Sequence, residues 1–153
     1  MTVVLDPKTM TDASSVRRLL ANAVRLNEDR IAQACQARLY ELETPEVSDP
    51  VEKRLWQAVA AYEQTLREKH GRKQPAAYTR RKIAAKGAVQ TLTDWALEKN
   101  VTPGFEALVR SGSAEFTGEY VVVEFSERFS PEAVTAAKKK LTDHGVEFPR
   151  AVK

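Results

Sequence analysis

Apolar residues recur at three- and four-residue steps along most of this chain, which is the spacing of one face of an α-helix. The pattern predicts helices near residues 13–26, 28–42, 51–69, 79–86, 88–99, 103–111 and 131–144. The first two apolar stripes run from Val16 to Val24 and from Ile31 to Leu42, with Asn27 between them. Asparagine tolerates the left-handed conformation that ends a helix, so this part of the chain is predicted to form an αα-hairpin.

The remaining pattern divides the chain into three parts. Residues 1–43 are predicted to form an N-terminal tail and the hairpin, residues 44–50 a linker, and residues 51–153 a helical core domain. The linker is acidic and contains two prolines, and Asp49-Pro50 is a favourable helix start. The fold class expected is therefore all-α, a compact multi-helix bundle.

One segment is ambiguous between helix and strand. The letters YVVVEF within residues 117–126 have strand composition, but Thr117 can cap a helix and the aromatic residues return at near-helical steps. We expect a helix there, with a strand as the alternative.

Charge is balanced along the chain except in one stretch. The chain of 153 residues has a net charge of +3, yet Lys69–Thr93 contains seven basic and no acidic residues. A block of one sign usually faces a polyanion, of which a phosphate backbone is the commonest. The alternative is a basic but solvated loop and helix surface.

The residues expected to contact nucleic acid follow from this stretch. They are Arg72, Lys73, Tyr78, Thr79, Arg80, Arg81, Lys82, Lys86 and Gln90. The cations suit backbone phosphates, and Gln90 is the amide placed to reach a base edge. Tyr78 could stack on a base or pack below a sugar, with packing into the core as the alternative. DNA is the favoured ligand, with weak sequence preference. Replacing Arg80, Arg81 and Lys82 together is expected to leave thermal stability nearly unchanged.

The sequence contains no recognisable catalytic motif, so an enzyme is the least favoured class of function. No cofactor is expected, because the six glycines are scattered and form no phosphate-binding loop. No metal site is expected from two distant histidines and the single cysteine, Cys35. Glu115, Glu119 and Glu124 are interpreted as helix-surface charges, and the run 138–140 of lysines as a complement to a helix C-terminus.

Several segments together resemble a family of small bacterial helical proteins of uncharacterised function. These segments are LLANAVRLN, YTRRKIAAKGAVQTLTDWAL, GFEALVRSG and TGEYVVVEFSERFSPEAV. Thr79, the paired basic residues after it and Gly87 are the most characteristic part, whereas Asn27 stands where a glycine is expected. The resemblance implies an all-helical fold and a bacterial or phage source, and it supplies no activity, ligand or site residue.

A second function class stays open beside nucleic-acid binding. The N-terminal hairpin could present an apolar face to a partner protein or to a second copy of the chain, as a protein-interaction or oligomerisation module. The start of the sequence lacks a signal-peptide pattern and no segment has 18 consecutive apolar residues, so no membrane role and a cytoplasmic location are expected.

Overall fold

A computed structural model describes residues 6–44, 46–72 and 75–147, and within them the chain is all-helical, as predicted. The described α-helices are α1 (Ala13–Arg25), α2 (Asp29–Glu43), α3 (Pro50–His70), α4 (Ala77–Lys86), α5 (Ala88–Leu97), α6 (Pro103–Arg110), α7 (Gly118–Glu124) and α8 (Pro131–Asp143). Single turns of 3-10 helix lie at Pro7–Thr9, Ala114–Phe116 and Ser126–Arg128. The chain divides into two compact units, residues 1–44 and 45–153.

The first unit is the predicted αα-hairpin. α1 packs along α2 around a small core of Val16, Cys35 and Leu39. Asn27 makes the turn with φ of +59°, the left-handed conformation expected of it. Burial raises the pKa of the Cys35 thiol, so this cysteine belongs to the core and is not an activated nucleophile.

Apolar side chains at the tip of the hairpin depart from the predicted pattern. Val24 and Ile31 were assigned to the inner faces, but 62% and 39% of their surfaces are exposed. Leu26, in the turn between them, is 59% exposed. Ala23 takes the inward position at the end of α1, and a neighbouring residue points about 100° away from it on a helix. The hairpin therefore presents a small apolar patch around its turn.

The second unit is built on the long helix α3, which packs against α5, α6 and α7. α8 packs against α5 and α7, and the space among these helices is filled by fully buried side chains such as Leu55, Leu92, Val121 and Leu141. Trp56 and Trp95 pack against this core while keeping part of their surface exposed.

The ambiguous segment is helical. Thr117 accepts a hydrogen bond at 3.2 Å from the backbone N–H of Tyr120 and thereby caps α7. The residues of α7 from Val121 to Val123 are all buried, because the helix is packed against both α5 and α8. The strand alternative for residues 117–126 is therefore wrong. The β-branched residues that suggested a strand are there because this helix is buried on several sides. None of the described helices combines the length and the apolarity that a membrane crossing requires.

Candidate functional site

Helix α4 carries most of the predicted nucleic-acid contacts, and its inner face is fixed by two residues. Ile83 is 6% exposed and joins the core of the second unit. Thr79 is 9% exposed, because α4 begins at Ala77 and not at Thr79. A buried threonine in the first turns of the helix cannot reach an external phosphate, so Thr79 is removed from the candidate contacts.

Arg80 is held by a carboxylate from the preceding helix. Its Nε and Nη2 donate to the two oxygens of Glu63 at 2.8 and 2.6 Å. Its guanidinium also lies 5.6 Å from the centre of the Trp56 ring. The hydrogen bonds with Glu63 raise the pKa of Arg80 further above its ordinary value. Glu63 in addition accepts the backbone N–H of Ala76 at 2.7 Å, so the cluster fastens the start of α4 to α3.

A second carboxylate, Asp94 on α5, lies within 4 Å of three other residues that were predicted to contact nucleic acid. Lys82 approaches it at 2.9 Å, Gln90 donates to it at 2.8 Å, and Lys86 lies 3.9 Å away. Hydrogen bonds from Lys82 and then Gln90 hold the pKa of Asp94 below its ordinary value. Asp94 therefore offsets much of the positive charge of Lys82, and it engages the amide of Gln90 that sequence reasoning assigned to a base.

Three of the predicted cations are exposed and make no hydrogen bond to a carboxylate of the described residues, and one aromatic side chain is exposed near them. Arg72 is exposed at the bend that follows α3, and Lys86 keeps 57% of its side chain exposed. Arg81 is exposed, with no ion pair or hydrogen bond to any part of the chain that the structure describes. Tyr78 is 73% exposed and lies three residues before Arg81, on the same face of α4. Lys73 lies outside the described residues.

A cavity of about 130 Å³ lies within the second unit and was not foreseen from the sequence. Its walls include four aromatic rings, from Tyr62, Trp95, Phe105 and Phe116. Two wall positions are glycines because the rings lie against the backbone there. A Cβ on Gly104 would lie 2.4 Å from the Tyr62 ring, and a Cβ on Gly118 would lie 2.5 Å from the Trp95 ring.

Two buried charged side chains, Glu119 of α7 and Lys140 of α8, line the same cavity. Each is 8% exposed, and Lys140 Nζ lies 3.9 Å from Glu119 Oε1 and donates to the Trp95 carbonyl at 2.8 Å. Burial raises the pKa of the Glu119 carboxyl, and a hydrogen bond from its own backbone N–H and the charge of Lys140 oppose that rise. The interpretation of Glu119 as a helix-surface charge is therefore wrong, whereas Lys140 lies in the last turn of α8 as expected but is buried there.

Residues 6–44, 46–72 and 75–147 contain no group of three His, Cys, Asp or Glu side chains that could hold a metal ion. No protein-family model, no curated protein and no solved structure matches this chain.

Proposed function

We propose that this protein binds nucleic acid, with DNA as the favoured ligand, through the exposed side of α4 and the bend before it. The observation that carries the proposal is the pairing of Tyr78 and Arg81 on one exposed face. An aromatic ring that is 73% exposed stands out, because large apolar side chains on a helix usually turn inward. Next to an arginine it offers a ring for a base to stack on and a cation for the adjoining phosphate.

Arg72 and Lys86 extend the positive surface beyond this pair. Both are exposed, and contacts of this kind hold the phosphate backbone without reading sequence. Arg80 and Lys82 are not counted among the phosphate contacts, because each already forms an ion pair with a carboxylate. Binding in the micromolar range with weak sequence preference is therefore expected, as is usual when few backbone contacts dominate.

The test is a binding titration against duplex DNA, single-stranded DNA and RNA of the same sequence at two salt concentrations. Tyr78→Ala is expected to weaken single-strand binding about tenfold, the effect of losing one stacked base. Arg81→Gln is expected to weaken all ligands alike and to flatten the salt dependence. Arg110→Gln is the matched control, since Arg110 is exposed on α6, away from α4 in the chain, and loses the same charge.

Two results would refute the proposal. One is wild-type protein that binds none of the three nucleic acids at low salt, and the other is an Arg81→Gln variant that binds as well as wild type while Arg110→Gln does not. A preference for single strands that Tyr78→Ala abolishes would identify base stacking as the main contribution.

A second candidate function is an interaction or oligomerisation module, and the hairpin tip favours it. Val24, Leu26 and Ile31 expose apolar surface around one turn, as sites for protein partners commonly do. Sedimentation of the full chain over a range of concentrations tests for association through this patch. A monomer at every concentration, unchanged by Val24→Ser with Leu26→Ser, would leave association between copies without support.

The proposed compartment is the cytoplasm of a bacterial cell. A single buried cysteine is compatible with a reducing environment, and the resemblance of the sequence supports a bacterial source.

A further inference from the structure

The cavity of the second unit has the size of a small ligand. At about 130 Å³ it is comparable with an apolar protein cavity of ~150 Å³ that takes up benzene. Glu98 and Asn100 line it and are themselves exposed, so the cavity reaches the protein surface beside them. A molecule with one aromatic ring, or a short branched alkyl group, matches this space.

The charges that line the cavity favour a positively charged group on that ligand. Two carboxylates, Glu98 and Glu119, line it against one ammonium, Lys140. Lys140 already donates to the Trp95 carbonyl at 2.8 Å. Its distance of 3.9 Å from Glu119 is longer than a hydrogen bond, so Glu119 keeps acceptor capacity that Lys140 does not fill. The aromatic walls also attract cations through the negative faces of their rings.

We propose that this cavity binds a small organic amine, with its ring or alkyl group between Tyr62, Trp95 and Phe105 and its ammonium group on Glu119. The geometry that supports the amine is a nine-tenths buried carboxylate in the same cavity as the rings of Tyr62, Trp95 and Phe105. Burial leaves such a carboxylate poorly solvated, and an incoming ammonium supplies both a hydrogen-bond donor and a counter-charge. The site differs from the proposed nucleic-acid surface, and neither proposal depends on the other.

The experiment titrates the full chain with three probes of nearly equal shape, namely benzylamine, benzyl alcohol and benzoate. Binding is followed by amide and indole signals in nuclear magnetic resonance spectra. Benzylamine is expected to shift the Trp95 indole and the amides of residues 116–119, and to bind at least tenfold more tightly than either other probe. Benzoate binding more tightly than benzylamine, equal binding of all three, or no shift at these signals would each overturn the proposal.

A variant pair tests the role of Glu119. Glu119→Gln keeps the shape of the side chain and removes its charge, so benzylamine is expected to bind about tenfold more weakly, close to benzyl alcohol. Glu127→Gln is the matched control, because Glu127 is exposed and does not line the cavity. An unchanged affinity in Glu119→Gln would overturn the assignment of the ammonium to this residue. The wild-type comparison of the three probes stands even if a variant folds poorly.

Discussion

Arg80 and Arg81 are neighbours of the same type, and the structure gives them opposite roles. Arg80 donates two hydrogen bonds to Glu63 and lies over the Trp56 ring, whereas Arg81 faces solvent. We predict that Arg80→Gln lowers the free energy of unfolding and that Arg81→Gln does not. Sequence reasoning treated the two as equivalent, so a comparison of these two variants tests the structural assignment directly.

The magnitude for Arg80 follows from its contacts. A hydrogen bond to a charged group contributes about 1.5–3 kcal/mol where it is buried, and a cation–π contact about 0.5–1 kcal/mol at an exposed site. Arg80 is 47% exposed, so solvent screening reduces the ion-pair contribution substantially. Glu63 keeps the Ala76 backbone N–H as a donor after the change. The expected loss for Arg80→Gln is therefore about 1–2 kcal/mol, against at most about 0.5 kcal/mol for Arg81→Gln.

The assay is chemical and thermal unfolding of both variants beside wild type, together with the nucleic-acid titration. For a unit of this size the expected loss lowers the melting temperature of Arg80→Gln by about 3–10 °C. Arg81→Gln is expected to melt as wild type does and to lose affinity. If Arg81→Gln is the destabilised variant, or if the two melt alike, the roles assigned to these arginines are wrong. The triple replacement with Lys82 is correspondingly expected to be destabilising, in contrast to the expectation from sequence.

Three further changes test other contacts. Asp94→Asn removes the charge that Lys82 pairs with, so nucleic-acid affinity at low salt is expected to rise severalfold in the same titration. An unchanged affinity would place Lys82 outside the surface that contacts nucleic acid. Gly118→Ala sets a Cβ against the Trp95 ring and is expected to cost about 1–3 kcal/mol in denaturant unfolding, a cost that a Trp95→Leu background should reduce. Glu119 has a raised pKa in the folded protein, so the folded state binds more protons than the unfolded state above the ordinary value of 4.5; its contribution to stability is therefore greatest at and below that pH and is lost as the pH rises. The free energy of unfolding should accordingly fall less from pH 4.5 upward in Glu119→Gln than in wild type. Parallel curves of this free energy against pH for the two proteins would contradict the burial of this carboxyl.

The helices were predictable because their signals are local. Apolar spacing, the caps at Asp49 and Ser130 and the left-handed turn at Asn27 each act within a few residues of the chain. Where several successive apolar residues crowd one helix, the local signal is less reliable. Leu97 follows Trp95 and Ala96 in an apolar run, but three consecutive residues span about 200° of a helix, and Leu97 is 51% exposed.

The cavity was harder to predict, although one signal was present. Lys140 follows Ala133 and Ala137 at helical spacing, and all three are buried on one stripe of α8. A lysine on an apolar stripe indicates a buried partner, which an interpretation of the run 138–140 through the helix dipole alone overlooks. The partner itself, Glu119, could not be identified, because the packing of α7 on α8 is a long-range contact that no local pattern encodes.

The difference between local pattern and long-range packing also limits what a block of basic residues implies. Along the sequence no carboxylate interrupts Lys69–Thr93, yet α3 and α5 bring Glu63 and Asp94 against it. The six predicted cations would give a slope of log affinity against log salt of about −5 on duplex DNA if all of them displaced counterions, at about 0.9 for each phosphate neutralised. If only the predicted cations without a hydrogen-bonded carboxylate in the described residues displace counterions, namely Arg72, Arg81 and Lys86, the slope falls to about −2.7. A measured slope near the larger value would require Arg80 and Lys82 to leave their carboxylates on binding, and these ion pairs would then belong to the binding mechanism instead of the resting fold.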